Sequence, residues 1–289
     1  MTTIGKNVHV ALTFDYDAYS VWIGTFAAKS PSMISRGEFG PQGVRRILQL
    51  LGEYRITGTF FVPGHTALAF PRTVVDIAAA GHEIGHHGWI HENPATAAPA
   101  QERWIMEKGL EALDKVAGVR PVGYRSPAWD NSPQTVLLLL EYGFAYESSL
   151  MGSEYEPYWC RVGDEWSKTE PWKFGTPVDL VELPVSWLLD DFPHFEFVAG
   201  SALPGVKGPR ELLQTWIDEF DYLYDKIGSG IFNVTMHPQV IGRGARMLLL
   251  QGLIEHIKDK PGVTFGTCAE YVARWRLGKT PSLPADAAI

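Results

Sequence analysis

A chain of 289 residues is long enough for one α/β domain of barrel size and too short for two full catalytic units. With 45% hydrophobic and 20% charged residues, it is not disordered, collagen-like or a coiled coil. The 25 basic and 33 acidic side chains give a net charge of −8, which argues against a nonspecific grip on nucleic acid or anionic membrane.

Short apolar runs alternate with longer segments of helical periodicity. Residues 8–14 (VHVALTF) read as a buried strand, 43–54 as an amphipathic helix and 57–62 (TGTFFV) as a second strand. A helix is expected over 72–80, stopped by Gly81, followed by an extended piece at 82–86. Further helices are expected at 100–117, 133–142, 211–227 and 246–259, with strands at 121–124, 144–147, 179–185, 230–236 and 262–265. This alternation predicts parallel strands with helices outside them, closed into a barrel or laid out as a doubly wound sheet, in one domain over 1–289. Two irregular stretches, 151–177 and 187–209, are expected to be substrate-side loops. No apolar run approaches the ~20 residues of a membrane span, and residues 1–6 show no basic, apolar leader pattern. The two cysteines, Cys160 and Cys268, form no CxxC pair, so a reduced, cytoplasmic protein is expected.

Ionisable residues repeatedly follow the strands directly: Asp15 and Asp17, His87 and His91, Arg125, and His237. In a barrel of parallel strands these positions gather at one end. Asp15 and Asp17 are two residues apart, so an extended backbone points both to one side, where they repel unless a cation or proton intervenes. His87 and His91 are four apart and meet if the intervening segment turns helically. One carboxylate and two imidazoles make an open zinc shell with room for water, and other divalent ions fit the same donors. His82–His86 (HEIGH) matches the zinc-protease pattern, but that motif needs a helix. As a strand, its histidines lie ~13 Å apart.

These residues resemble the NodB, or polysaccharide deacetylase, family (carbohydrate esterase family 4). Thr13-Phe14-Asp15-Tyr16-Asp17 resembles the family's T-F-D-D motif with one residue inserted, and His87-Gly88-Trp89-Ile90-His91 resembles H-[ST]-x-x-H. Arg125-Ser126-Pro127-Ala128 resembles R-x-P-Y without its tyrosine, residues 179–187 (DLVELPVSW) resemble the acid-plus-tryptophan element, and Val234-Thr235-Met236-His237 resembles L-x-H. The resemblance implies an α/β fold, a distorted (β/α)7 barrel. The Asp-x-Asp motif, His-Gly-x-x-His and the long 151–209 region are similar to a cytoplasmic subgroup. It includes peptidoglycan-deacetylase-like proteins, PuuE-type allantoinases and cyclic imide hydrolases. These relatives form homo-oligomers, often tetramers, and some are described as needing no metal.

The family pattern implies hydrolysis of a non-peptide amide. Zinc, or another divalent ion, is held by Asp17, His87 and His91 and activates a water; Asp15 is the base, oriented by Arg125; and His237 is the acid. Ala128 supplies a backbone N–H to the oxyanion. Glu182 is expected beside His237 or paired with an arginine, and Asp190 and Asp191 at the pocket. Trp89, Trp129, Trp187 and Phe192 are candidates for its walls. The substrate is an N-acetylated sugar or a small cyclic imide or ureide. A non-catalytic carbohydrate-binding barrel is the rival from another class, and such a barrel would be expected to lack Asp15 or His237.

Overall fold

Strand β1 (Asn7–Asp15) sets the geometry by side-chain parity. Val8, Val10, Leu12 and Phe14 join the large helix-side core, and Ala11 points to the opposite face and packs in the barrel interior. Every residue of β1 after Asn7 is buried, as expected for a central parallel strand covered on both faces. The computed structural model describes residues 5–198, 201 and 205–287. Its other strands are β2 (Thr59–Val62), β3 (Glu83–His86), β4 (Gly123–Tyr124), β5 (Tyr146–Glu147), β6 (Tyr158–Val162), β7 (Thr176–Glu182), β8 (Ser229–Met236) and β9 (Val263–Phe265).

The sheet order is β6-β7-β5-β4-β3-β2-β1-β8, with β9 pairing the first half of β1. All pairings are parallel except β6 with β7. The sheet curls into a half-barrel, with its seam between β8 and the antiparallel β6–β7 pair. Individual bonds bridge that seam: Asn233 Nδ2 donates to the Pro184 carbonyl (3.1 Å), Ile231 N to the Tyr155 carbonyl (2.9 Å) and Asp191 N to the Thr235 carbonyl (3.2 Å). Around it pack α1 (Gly40–Tyr54), α2 (Gly64–Ala69), α3 (Pro71–Ala79), α4 (Pro99–Ala117), α5 (Thr135–Tyr142), α6 (Pro209–Tyr222) and α7 (Gly244–Ile257). The helix α8 (Cys268–Trp275), capped by Thr267 and Glu270 in a reciprocal box, closes the end where the strands begin. None of the described helices is long and apolar enough to cross a membrane.

The expected alternation of elements is present, with differences. The 151–177 stretch contains β6, and its tip is a hairpin closed by paired bonds between Glu165 and Lys173. Because β6 runs antiparallel to β7, this tip projects from the starting end of β7, so it does not face the site. No alternation of apolar and polar residues marked β6, because only Trp159 and Cys160 in it are fully buried. Residues 199–200 and 202–204 of the second irregular stretch lie outside the described residues.

The interior is plugged by Ala11, Phe61, Tyr146, Trp159, Val181, Leu183 and Ile231, sealed below by Cys268 and Val272 of α8. Two glycines make room for this plug. A methyl group at Gly85 would lie 2.4 Å from the Phe61 ring, and one at Gly123 2.0 Å from the Tyr146 ring. Overpacking of this kind costs about 1–3 kcal/mol. Gly123→Ala should therefore lower the urea midpoint, and an unchanged midpoint would show that Tyr146 can move aside freely.

Candidate active site

At the opposite end, the residue after each central strand enters the barrel mouth. His87 follows β3, Arg125 follows β4, and His237 follows β8. Asp15 ends β1, and the chain turns so that Asp17 also faces inward. Asp17 Oδ1 lies 3.4 Å from His87 Nε2, and Asp17 Oδ2 lies 3.7 Å from His91 Nε2. One donor atom from each of the three falls within 4.8 Å of the others, and all three residues are buried.

Both imidazoles are held with Nε2 free to ligate. His87 Nδ1–H donates to the Arg125 carbonyl (2.7 Å), which leaves Nε2 without a partner among the described residues. Thr25 donates its hydroxyl proton to the His91 carbonyl (3.0 Å), so the same oxygen accepts His91 Nδ1–H (2.6 Å). Burial lowers His87 to about 4 and His91 well below the usual range, so both rings are neutral. Burial likewise pushes Asp17 well above the carboxylate range, partly offset by His237 and reinforced by Asp15, and both of its oxygens lack a donor. Four carboxyls (Asp15, Asp17, Asp190 and Asp191) thus share a dry cluster with two cationic groups, Arg125 and His237. Asp17 is the member that burial leaves protonated, and the donor set of Asp17, His87 and His91 fits a divalent cation that would take the place of that proton.

Arg125 is fully buried in the barrel mouth. Its Nη1 donates to Asp15 Oδ1 (2.8 Å) and Thr13 Oγ1 (2.9 Å), and its Nε and Nη2 donate to the Ser148 carbonyl and hydroxyl. Burial alone would raise Asp15, but the Arg125 guanidinium that donates to it outweighs burial and lowers its pKa. On the other side, His237 Nδ1–H donates to Asp191 Oδ1 (2.8 Å), with Asp190 3.5 Å away and Asp17 3.6 Å from Nε2. Burial alone would lower His237, but Asp190, Asp191 and Asp17 push it up to about 10. Asp15, His91 and His237 all line a cavity of about 190 Å³ walled by Val21, Phe26, Trp129, Trp187 and Phe192. The Trp129 and Trp187 rings meet at 4.3 Å. A larger cleft of about 900 Å³, between β6 and the chain after α8, touches none of these ionisable residues. Chemistry, and not size, marks the site.

A family model described as Polysaccharide deacetylase matches residues 4–146. A peptidoglycan deacetylase of Helicobacter pylori is 38% identical, covering 92% of this chain and 96% of its own. The chain belongs to the polysaccharide deacetylase family. It is therefore a hydrolase of carbon–nitrogen bonds other than peptide bonds. A peptidoglycan deacetylase-like protein of Gibberella zeae is 29% identical over 95% of this chain and 88% of its own. A solved Mycobacterium smegmatis structure assigned to the polysaccharide deacetylases superposes with a TM-score of 0.85 at 38% identity, covering 98% of this chain and 96% of that one. The PuuE allantoinase shares the fold, with a TM-score of 0.77 at 24% identity, covering 96% and 93% of the two chains.

Against this family frame, Asp15, Asp17, His87, His91, Arg125 and His237 come together as their motifs implied. Ala128, Trp129, Trp187, Asp190 and Phe192 reach the cavity wall. Four expectations are corrected. First, His87 and His91 meet without a helical turn, because Gly88 (φ 71°) and His91 (φ 64°) are both left-handed and fold the segment back, bringing the rings to 4.9 Å. Second, Glu182 does not approach His237; Val181 and Leu183 point inward, so Glu182 faces out of the barrel, where it accepts from Ser149 N and Leu150 N. Third, Asp191 does not line the cavity and instead takes the place beside His237 expected of Glu182. Fourth, Trp89 packs edge-on against His65 and Trp104, away from the cavity. His82 and His86 serve the scaffold: His82 Nδ1 accepts from Gly58 N, and His86 Nε2–H donates to the Met106 carbonyl.

Sequence reasoning missed Thr25 and Ser148, which hold His91 and Arg125. Neither lies in a recognisable pattern, although Ser148 follows a strand as the other site residues do. Removing a carboxylate in contact with an imidazolium lowers its pKa by about 1–3 units. Asp191→Asn should therefore lower the His237 pKa by that amount in an NMR titration, whereas an unmoved titration would show that Asp190 and Asp17 suffice.

Proposed function

We propose that this protein hydrolyses an N-acyl amide, of the kind carried by N-acetylated sugars, with a divalent cation held by Asp17, His87 and His91. The observation that carries this reading is the convergence of those three donors between an anionic Asp15 and a cationic His237 at one buried cavity. When bound, the cation supplies Lewis-acid polarisation of the carbonyl and acidifies a coordinated water. Asp15, kept ionised by Arg125, accepts the proton of the attacking water. His237, kept protonated by Asp190 and Asp191, donates to the departing nitrogen, so the amine leaves neutral. Ala128, on the cavity wall with φ 55°, is the backbone position assigned to the oxyanion.

The cavity's size supports an acyl amide head group seated alone, since drug-sized ligands occupy roughly 300–1,000 Å³. A second cavity of about 330 Å³ shares Thr25 and Ala128 with it and presents Glu92, Asn93, Thr96 and Gln101, which suits the hydroxyls of a sugar. The name of the Helicobacter relative, a peptidoglycan deacetylase, points the same way. A second reading, ring opening of a small cyclic imide or ureide, is favoured by the close aromatic walls, and the allantoinase neighbour shares the fold that would house it. The non-catalytic sugar-binding reading is disfavoured by the intact pairing of Asp15 with Arg125 and of His237 with Asp191.

We read the chain as a single catalytic unit that works as a homo-oligomer in a reducing compartment; the two buried, unpaired thiols support the compartment. A panel of N-acetylglucosamine oligomers, allantoin and succinimide separates the substrates; turnover of the sugars alone is the expected result. Asp15→Asn should lower kcat on the order of 10²–10⁴-fold with KM little changed. Asp17→Ala should remove both the metal, read by elemental analysis, and turnover. Full activity in Asp17→Ala refutes the ligand assignment.

A further inference from the structure

The strand register places a second set of ionisable groups behind the site. Tyr158, Glu182, Glu147, Tyr124 and His86 are register partners across five neighbouring strands and line up in one row. This row is on the outer face of the sheet, since Tyr146 and Val181 beside it point into the barrel. Glu147 and Glu182 adjoin there, and both are fully buried. Glu182 Oε1 accepts from Ser149 N (3.0 Å) and Leu150 N (2.9 Å), and its Oε2 faces Cys160 Sγ at 3.9 Å. Both Glu147 oxygens lack a donor among the described residues, and Glu147 and Glu182 are directly paired on β5 and β7 with their side chains on the same face. Two dry carboxylates cannot stay side by side, so the contact closes only with a proton between them.

We propose that Glu147 and Glu182 share one proton, and that this protonated pair is a brace that positions the Arg125–Asp15 ion pair. The path is continuous. Glu182 fixes the backbone of Ser149 and Leu150, Ser149 Oγ accepts from Ser126 N (2.7 Å), and Ser148 accepts two of the Arg125 hydrogen bonds with its carbonyl and hydroxyl. Arg125 in turn holds Asp15 with its guanidinium and His87 with its carbonyl. Glu147 and Glu182 are thus positioning residues, and their importance for hydrolysis rests on Asp15 acting as the base. The other titratable groups facing the pair are Tyr124, Tyr158 and Cys160, all held neutral by burial, with the cation of Arg161 beyond Cys160. Burial and then Glu147 push Glu182 well above the carboxylate range.

The sign of the pH effect follows. In the unfolded chain each Glu ionises near 4.3, at about its ordinary pKa. The folded pair keeps its proton above that pH and so binds more protons than the unfolded chain. The pair's stabilisation is full below that pH and is lost as pH rises through its raised folded pKa.

The test needs no substrate. Urea midpoints are measured from about pH 5 upward for the unsubstituted protein, Glu147→Gln and Glu182→Gln, and the Arg125 Nε–H resonance is followed by NMR. An amide in the pair donates its hydrogen bond at every pH. The variants should therefore show flatter midpoint curves that cross the parent's, and an Arg125 signal that stays fixed while the parent's moves with pH. Parallel curves overturn the shared proton, and a pH-insensitive Arg125 signal in the parent overturns the brace. Absence of any protonated-carboxyl infrared band in the parent at neutral pH overturns the proposal even if neither variant folds. None of these outcomes depends on whether the chain turns over an amide.

Discussion

A guanidinium with no exposure to solvent must have its charge and its five N–H groups satisfied from within. Arg125 is that group here, and most of the site is arranged to meet its requirement. Asp15 supplies the countercharge and accepts one hydrogen bond, Thr13 accepts one and Ser148 two, and the Phe61 ring lies 4.3 Å beneath. Because the residue's own carbonyl accepts from His87, the same backbone position orients both the Asp15 carboxylate and the His87 imidazole. Deleting either partner would strand a buried charge, which is why such pairs tolerate so little change.

The electrostatics of the mouth divide along its two walls. On one side, Arg125 keeps Asp15 anionic; on the other, Asp190 and Asp191 keep His237 cationic. A proton acceptor and a proton donor coexist a short distance apart because each has its own counterion. Between them, burial drives Asp17, His87 and His91 toward neutrality, which leaves the imidazole lone pairs open and makes ionisation of Asp17 dependent on a positive charge beside it.

Much of this was legible in the residue order. The run VHVALTF followed by Asp15 and Asp17, the apolar runs ahead of Arg125 and His237, and the motif order sufficed to place the fold and the six central side chains. What stayed hidden depended on register and backbone sign. Asp191, and not Glu182, stands beside His237, because Val181 and Leu183 point inward and strand parity turns the acid between them out of the barrel. The fold-back at His91 needs a left-handed histidine, which no spacing announces. β6 escaped notice because an edge strand, half exposed, carries no clean alternation. Glu147 met Glu182 only through pairing of strands 35 residues apart in the chain.

The plug of Phe61, Tyr146, Trp159 and their neighbours has a bearing on traffic. With the barrel floor packed solid and sealed by α8, the chamber is a cul-de-sac: whatever enters at the mouth must back out at that same end.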